Sequence, residues 1–91
     1  MPQATIVITD PLGLHARVAA RVVQVAGNYQ AQVVLVNGDK KADTRSILQL
    51  MKLGVRQGHQ VTISSEGEEA SQALEAVRAV LTGKSGPEIL T

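Results

Sequence analysis

The sequence predicts a two-layer α/β sandwich, in the order β-α-β-β-α-β-α, with three helices on one side of the sheet. Three observations carry this expectation. Short β-branched or alternating segments interleave with segments of helical period. Each helical segment has an apolar stripe that only another layer can cover. The chain is 91 residues long and 44% hydrophobic, enough for one modest core. Tyr29 is its single aromatic, so that core must be aliphatic.

Thr5-Ile6-Val7-Ile8-Thr9 is β-branched throughout and reads as the first strand. Asp10-Pro11-Leu12-Gly13 is a turn. Residues 16–26 are apolar enough for either strand or helix, and their polar neighbours decide. Arg17, Arg21, Gln24 and Asn28 step by four, three and four, with Ala19, Val22, Val23 and Ala26 opposite. That is the helical period, and Gly27 supplies the stop. The valines lower intrinsic propensity, so packing must hold this helix.

Gln32–Val36 is the second strand. Asn37-Gly38 signals a hairpin, with both residues expected at positive φ in the turn centre. Lys40–Asp43 is the short charged return, suited to a sheet edge. Ser46–Leu53 is a short helix, with Ser46 and Gln49 at capping-box spacing and Gly54 as its end. Gln60–Ser64 alternates as the last strand. Ala70, Ala73, Leu74, Val77, Val80 and Leu81 form the stripe of the last helix. Glu68 and Glu69 suit the positive end of that helix. Residues 1–82 therefore read as one domain, and 83–91, rich in breakers at Gly83, Gly86 and Pro87, as a flexible tail.

Composition narrows the function. A net charge of +1 and one aromatic disfavour a nucleic-acid binder. The absence of cysteine removes disulfides and thiolate metal sites, and fits a reducing compartment. No apolar run approaches the ~18 residues of a membrane span, and no signal peptide opens the chain. A cytoplasmic protein is expected, without direct membrane insertion.

Two histidines are the first candidates for chemistry. His59 lies in the polar turn Gln57-Gly58-His59-Gln60 and reads as a loop residue. His15 stands at the start of the first helix. The backbone N–H groups of Ala16, Arg17 and Val18 are unpaired there by helix geometry. Arg17 adds a planar cation suited to a phosphate. The positive helix end disfavours imidazolium, which favours a nucleophilic ring. Together these could accept a phosphoryl group and neutralise its charge. Read locally, His15 also fits a plain, weak cap. No second metal ligand, Ser–His–Asp set or carboxylate pair accompanies it, so no metal or cofactor is expected.

Five of the seven residues Ile47-Leu48-Gln49-Leu50-Met51-Lys52-Leu53 are apolar, too many for one buried stripe. Leu50 and Leu53 fit the core side, with Ile47 at its edge. Leu48 and Met51 then face solvent as a docking surface, unless loops cover them. Ser46 needs no role beyond its cap, yet a phosphate there would sit at a helix start and beside that patch.

Gly13-Leu14-His15-Ala16-Arg17 with Ala19-Ala20 resembles the active-site segment of the HPr family, the histidine phosphocarriers of the bacterial phosphoenolpyruvate-dependent sugar phosphotransferase system. Thr44-Arg45-Ser46-Ile47-Leu48 with Leu53-Gly54 resembles that family's regulatory-serine helix. Gly58, Val61-Thr62-Ile63-Ser64 and Glu66-Gly67-Glu68 resemble its last strand and the turn after it. The likeness runs in order over residues 1–82.

The resemblance implies an open-faced sandwich with a four-stranded antiparallel sheet. It implies that His15 accepts a phosphoryl group on Nδ1 from phosphorylated Enzyme I and passes it to a sugar-specific IIA domain or protein. Arg17 would steady the group, and the backbone of Ala16, Arg17 and Val18 would bind it. Ser46 would be the target of HPr kinase/phosphorylase where a host has one. Ala20, Arg21, Ile47, Leu48 and Met51 would form the partner interface of a monomer. Such a protein is a relay rather than a stand-alone catalyst. The family usually places proline after the arginine, where this chain has Val18. Two other readings stand beside this one: a phosphocarrier of the nitrogen-regulatory branch, and a small ligand-binding regulatory module with no labile phosphate.

Overall fold

The computed structural model describes residues 2–83, so the expected tail falls outside it from residue 84 onward. Seven elements follow in chain order: β1 (Gln3–Val7), α1 (Ala16–Ala26), β2 (Gln32–Asn37), β3 (Lys40–Asp43), α2 (Ile47–Lys52), β4 (Gln60–Glu66) and α3 (Ala70–Leu81). The strands make one antiparallel sheet in the order β1-β4-β2-β3. The order and the number of elements match the expectation.

Register sorts the sheet into two faces. Ile6 pairs with Val61 and Leu35 with Ile63, and these residues are buried together with Val33 and Ala42. The alternate residues Thr5, Thr62, Val34 and Val36 form the open face, and Thr5 and Thr62 share a hydroxyl hydrogen bond of 3.1 Å. The period of two places every side chain of a strand on one side or the other. Helices cover the apolar side. α1 contributes Ala19, Val22 and Ala26, α2 contributes Leu50, and α3 contributes Ala70, Ala73, Leu74, Val77 and Leu81. Each fully buried Val or Leu adds about 1.5–3 kcal/mol of transfer free energy. No helix among the described residues is long and apolar enough to cross a membrane.

Three local expectations are corrected. β1 begins and ends two residues earlier than the β-branched run predicts, because β4 opposes Gln3–Val7. Beyond Val7 the chain instead exchanges hydrogen bonds with the turn before β4, Ile8 N–H to the His59 carbonyl and Gly58 N–H to the Ile8 carbonyl. β2 extends through Asn37, which pairs with Lys40, so the hairpin loop is Gly38-Asp39. Gly38 alone takes positive φ there, at 65°, so one glycine in the first turn position meets the demand placed on two residues. The capping box is half formed. Ser46 Oγ accepts from Gln49 N–H, but Gln49 Oε1 accepts from the N–H of Asp43 rather than that of Ser46.

Candidate functional site

The segment between β1 and α1 is a tight loop. Asp10 starts it as an Asx turn, its Oδ1 accepting the Leu12 N–H at 2.8 Å while its carbonyl accepts the Gly13 N–H at 2.9 Å. Gly13 lies at φ 72°, and a Cβ on it would stand 2.5 Å from the Val55 carbonyl oxygen. Glycine is required on both counts. Leu14 is buried and donates its N–H to that same Val55 oxygen at 3.1 Å. Gln57 Nε2 bonds the Thr9 carbonyl at 3.2 Å. The loop is thus fastened along its length to residues 55–59, and His15 emerges from a fixed base.

His15 is the N-cap residue of α1, with extended backbone and no side-chain cap hydrogen bond. Its carbonyl accepts the N–H of Ala19. Among the described residues, the backbone N–H groups of Ala16, Arg17 and Val18 donate to no protein acceptor. They open beside a ring that retains about a quarter of its exposure. Arg17 is exposed and forms no ion pair among the described residues. The ring turns to Asp10 instead, with Nε2 3.3 Å from Oδ2. The Leu12 N–H foremost holds the Asp10 carboxyl below its ordinary range against the opposing effect of burial, with lesser help from the hydrogen bond to His15 and the charges of His15 and Arg17. Asp10 therefore stays ionised at neutral pH.

The sequence marks Asp10 only as a turn residue. A carboxylate five residues before the histidine, across a Pro-Leu-Gly turn, folds back onto the ring.

The second helix start is built differently. Ser46 is half-buried, and its Oγ accepts the Gln49 N–H at 3.2 Å. Asp43 precedes it, bound through Oδ2 to Arg45 Nη2 at 2.7 Å, and that guanidinium foremost lowers the pKa of the carboxyl. Leu50 and Leu53 face the core, as their spacing predicts. Ile47, Leu48 and Met51 are exposed at 42%, 64% and 45%. α1 packs against α2, and Ala20 and Arg21 are exposed on α1. His59 is an exposed turn residue whose Nδ1 accepts the Arg56 N–H at 3.2 Å.

Comparison with known proteins agrees with this fold. The model of the PTS-HPr family, described as the PTS HPr component phosphorylation site, matches residues 2–82. The phosphocarrier protein HPr of Mycoplasma pneumoniae is 35% identical over 89% of this chain and 93% of its own. The phosphocarrier protein NPr of Shewanella violacea is 35% identical over 87% of each chain. The crystal structure of HPr-C-His from Thermoanaerobacter tengcongensis superposes with a TM-score of 0.87 at 38% identity, covering 98% of this chain and 100% of that one. The matching family model, these identities over nearly the full length and the shared four-stranded fold place the chain in one family: it belongs to the HPr phosphocarriers of the phosphotransferase system.

Proposed function

We propose that this chain accepts a phosphoryl group at His15 Nδ1 from phosphorylated Enzyme I and passes it to a sugar-specific IIA component. One observation carries the reading. An imidazole stands at the mouth of α1 beside three backbone N–H groups that have no acceptor among the described residues. Oriented amides of this kind stabilise an incoming anion. Arg17, two residues on and unpaired among the described residues, holds the phosphoryl oxygens and spreads the charge that develops during transfer.

Docking falls to the neighbouring surface. Ile47, Leu48 and Met51 with Ala20 and Arg21 present an apolar patch rimmed by positive charge, which both donor and acceptor would share in turn. Ser46 lies at the edge of this patch, where a phosphate added by HPr kinase/phosphorylase would oppose docking by its charge. The protein acts as a monomer in the cytoplasm, one carrier per phosphoryl group.

A nitrogen-regulatory role for the same chemistry is the second reading. One observation supports it: the phosphocarrier protein NPr of Shewanella violacea is as identical to this chain as the HPr of Mycoplasma pneumoniae, at 35%.

The test is incubation with phosphoenolpyruvate and Enzyme I, followed by mass measurement after acid or base. The wild type gains one phosphoryl group that survives base and is lost in acid. His15→Ala gains none and keeps its fold, since the ring is partly exposed and caps nothing. Continued labelling of His15→Ala would move the acceptor elsewhere.

A further inference from the structure

The two histidines use their ring nitrogens in opposite ways. His59 Nδ1 is occupied, accepting the N–H of Arg56. His15 Nδ1 has no hydrogen-bond partner among the described residues, while its Nε2 meets Asp10 Oδ2 at 3.3 Å. An ionised carboxylate can only accept, so the ring nitrogen facing it must carry the hydrogen.

We propose that Asp10 is a positioning residue that selects the Nε2–H tautomer of His15, leaving the Nδ1 lone pair as the nucleophile. The inference rests on the reading that His15 accepts the phosphoryl group, and it goes beyond that reading by assigning a role to Asp10. Two features make the carboxylate suited to this task. Its orientation is set independently of the ring, because Oδ1 is held by the Leu12 N–H at 2.8 Å and the Asp10 carbonyl by the Gly13 N–H. Its partner is set as well, because the loop that carries the ring is fastened at Leu14 and Gly13 to residue 55. Neither group has to reorganise when a donor arrives.

The transfer then needs no proton exchange. The Nδ1 lone pair forms the bond to phosphorus. The bond between phosphorus and the donor breaks, and its electron pair stays with the donor. The ring becomes an Nδ1-phosphorylated imidazolium, its Nε2 proton still shared with Asp10, whose charge offsets the new positive charge. On onward transfer the N–P bond breaks, its pair returns to Nδ1, and the neutral Nε2–H ring is restored. Asp10 thus stabilises the loaded ring while Arg17 and the helix amides face the phosphoryl oxygens.

Asp10→Asn separates this role from loop building. The amide oxygen can keep the Leu12 hydrogen bond, but the NH₂ presents a donor to Nε2. The neutral ring then carries its proton on Nδ1. Ring nitrogen chemical shifts read the tautomer directly, at about pH 8.5 where histidine is ordinarily neutral. The wild type is expected to show Nε2–H. Asp10→Asn is expected to shift toward Nδ1–H, to keep the wild-type melting temperature, and to be phosphorylated about tenfold more slowly, the scale of a lost supporting hydrogen bond.

Wild-type protein in the Nδ1–H form overturns the proposal without any variant. So does a native tautomer in Asp10→Asn, or a shifted tautomer with an unchanged rate. If the wild type takes no phosphoryl group at all, the His15 reading fails, and the nitrogen shifts still decide whether Asp10 sets the tautomer.

Discussion

The starts of α1 and α2 are two versions of one device with opposite outcomes. Each follows an aspartate whose Oδ1 accepts the backbone N–H two residues on, Asp10 from Leu12 and Asp43 from Arg45. Each aspartate has a second oxygen, which binds His15 in one case and the Arg45 guanidinium in the other. The difference lies in the cap. Ser46 uses its own hydroxyl to satisfy the Gln49 N–H, so α2 begins closed. His15 caps nothing, so α1 begins open. A helix start that keeps its amides free forgoes about 1 kcal/mol of capping. It leaves three backbone N–H groups without an acceptor among the described residues. Stability for the open start comes instead from outside the helix, through the fastening of its loop to residues 55–59.

Gly13→Ala attacks that fastening and is the largest expected effect on the fold. A methyl there meets the Val55 carbonyl oxygen at 2.5 Å and the Arg56 Cα at 2.9 Å, from a backbone at φ 72°. Strain and overpacking together should destabilise by about 3 kcal/mol. Denaturant unfolding measures this. A loss under about 1 kcal/mol would show that the loop can lift from residues 55–59 without consequence for α1.

Arg17 tests the chemistry of the open start rather than its stability. Arg17→Ala should slow phosphorylation about a hundredfold, about 2.7 kcal/mol, in line with loss of one preorganised charge stabiliser. Arg17→Lys should fall between, since it keeps the charge and loses the planar fork. Melting temperatures should stay near wild type, because Arg17 is exposed and unpaired among the described residues. Wild-type rates in both variants would remove Arg17 from the site.

The same contrast explains what was legible in the sequence. α1 was readable from the steps between Arg17, Arg21, Gln24 and Asn28, because a periodic face leaves a periodic trace. The split of α2 into Leu50 and Leu53 inside and Leu48 and Met51 outside was readable for the same reason. His15 and Arg17 could be singled out because helix starts have known chemistry. The bond from Asp10 to the ring could not be read that way. It depends on how a four-residue turn folds back, and turns have no period. The ends of β1, the centre of the hairpin and the far arm of the capping box misled for a related reason. Each is decided by a partner elsewhere in the chain: β4 for Gln3–Val7, Lys40 for Asn37, and the Asp43 N–H for Gln49.

At the closed start, Ser46→Ala and Ser46→Asp should part. Alanine removes the hydrogen bond to the Gln49 N–H and should cost about 1 kcal/mol. Aspartate can cap in its place, so stability should hold to within a few tenths. Its charge, however, adjoins the exposed Ile47 and Leu48. Weaker association with Enzyme I is the expected result, seen as a higher KM with little change in kcat. Equal affinity for wild type and Ser46→Asp would leave Ser46 as a cap alone.

Val18→Pro is the smallest expected effect and probes the open start most finely. Val18 is the third residue of α1, and its N–H has no protein acceptor among the described residues. Proline there removes a donor that the fold does not use. The residue four positions back, Leu14, lies outside the helix, so the usual clash of an internal proline with a helical carbonyl is absent. The preceding residue, Arg17, is the point of resistance, since proline disfavours the helical backbone before it. Restricting the unfolded chain should still dominate and stabilise the protein by about 0.4–1 kcal/mol. If the Val18 N–H binds the phosphoryl group, the same substitution should also slow transfer while raising the melting temperature. Stabilisation with an unchanged rate would assign anion binding to the amides of Ala16 and Arg17 alone. Destabilisation would show that the backbone of Arg17 cannot accept the ring, and that valine at this position keeps the first turn of α1 intact.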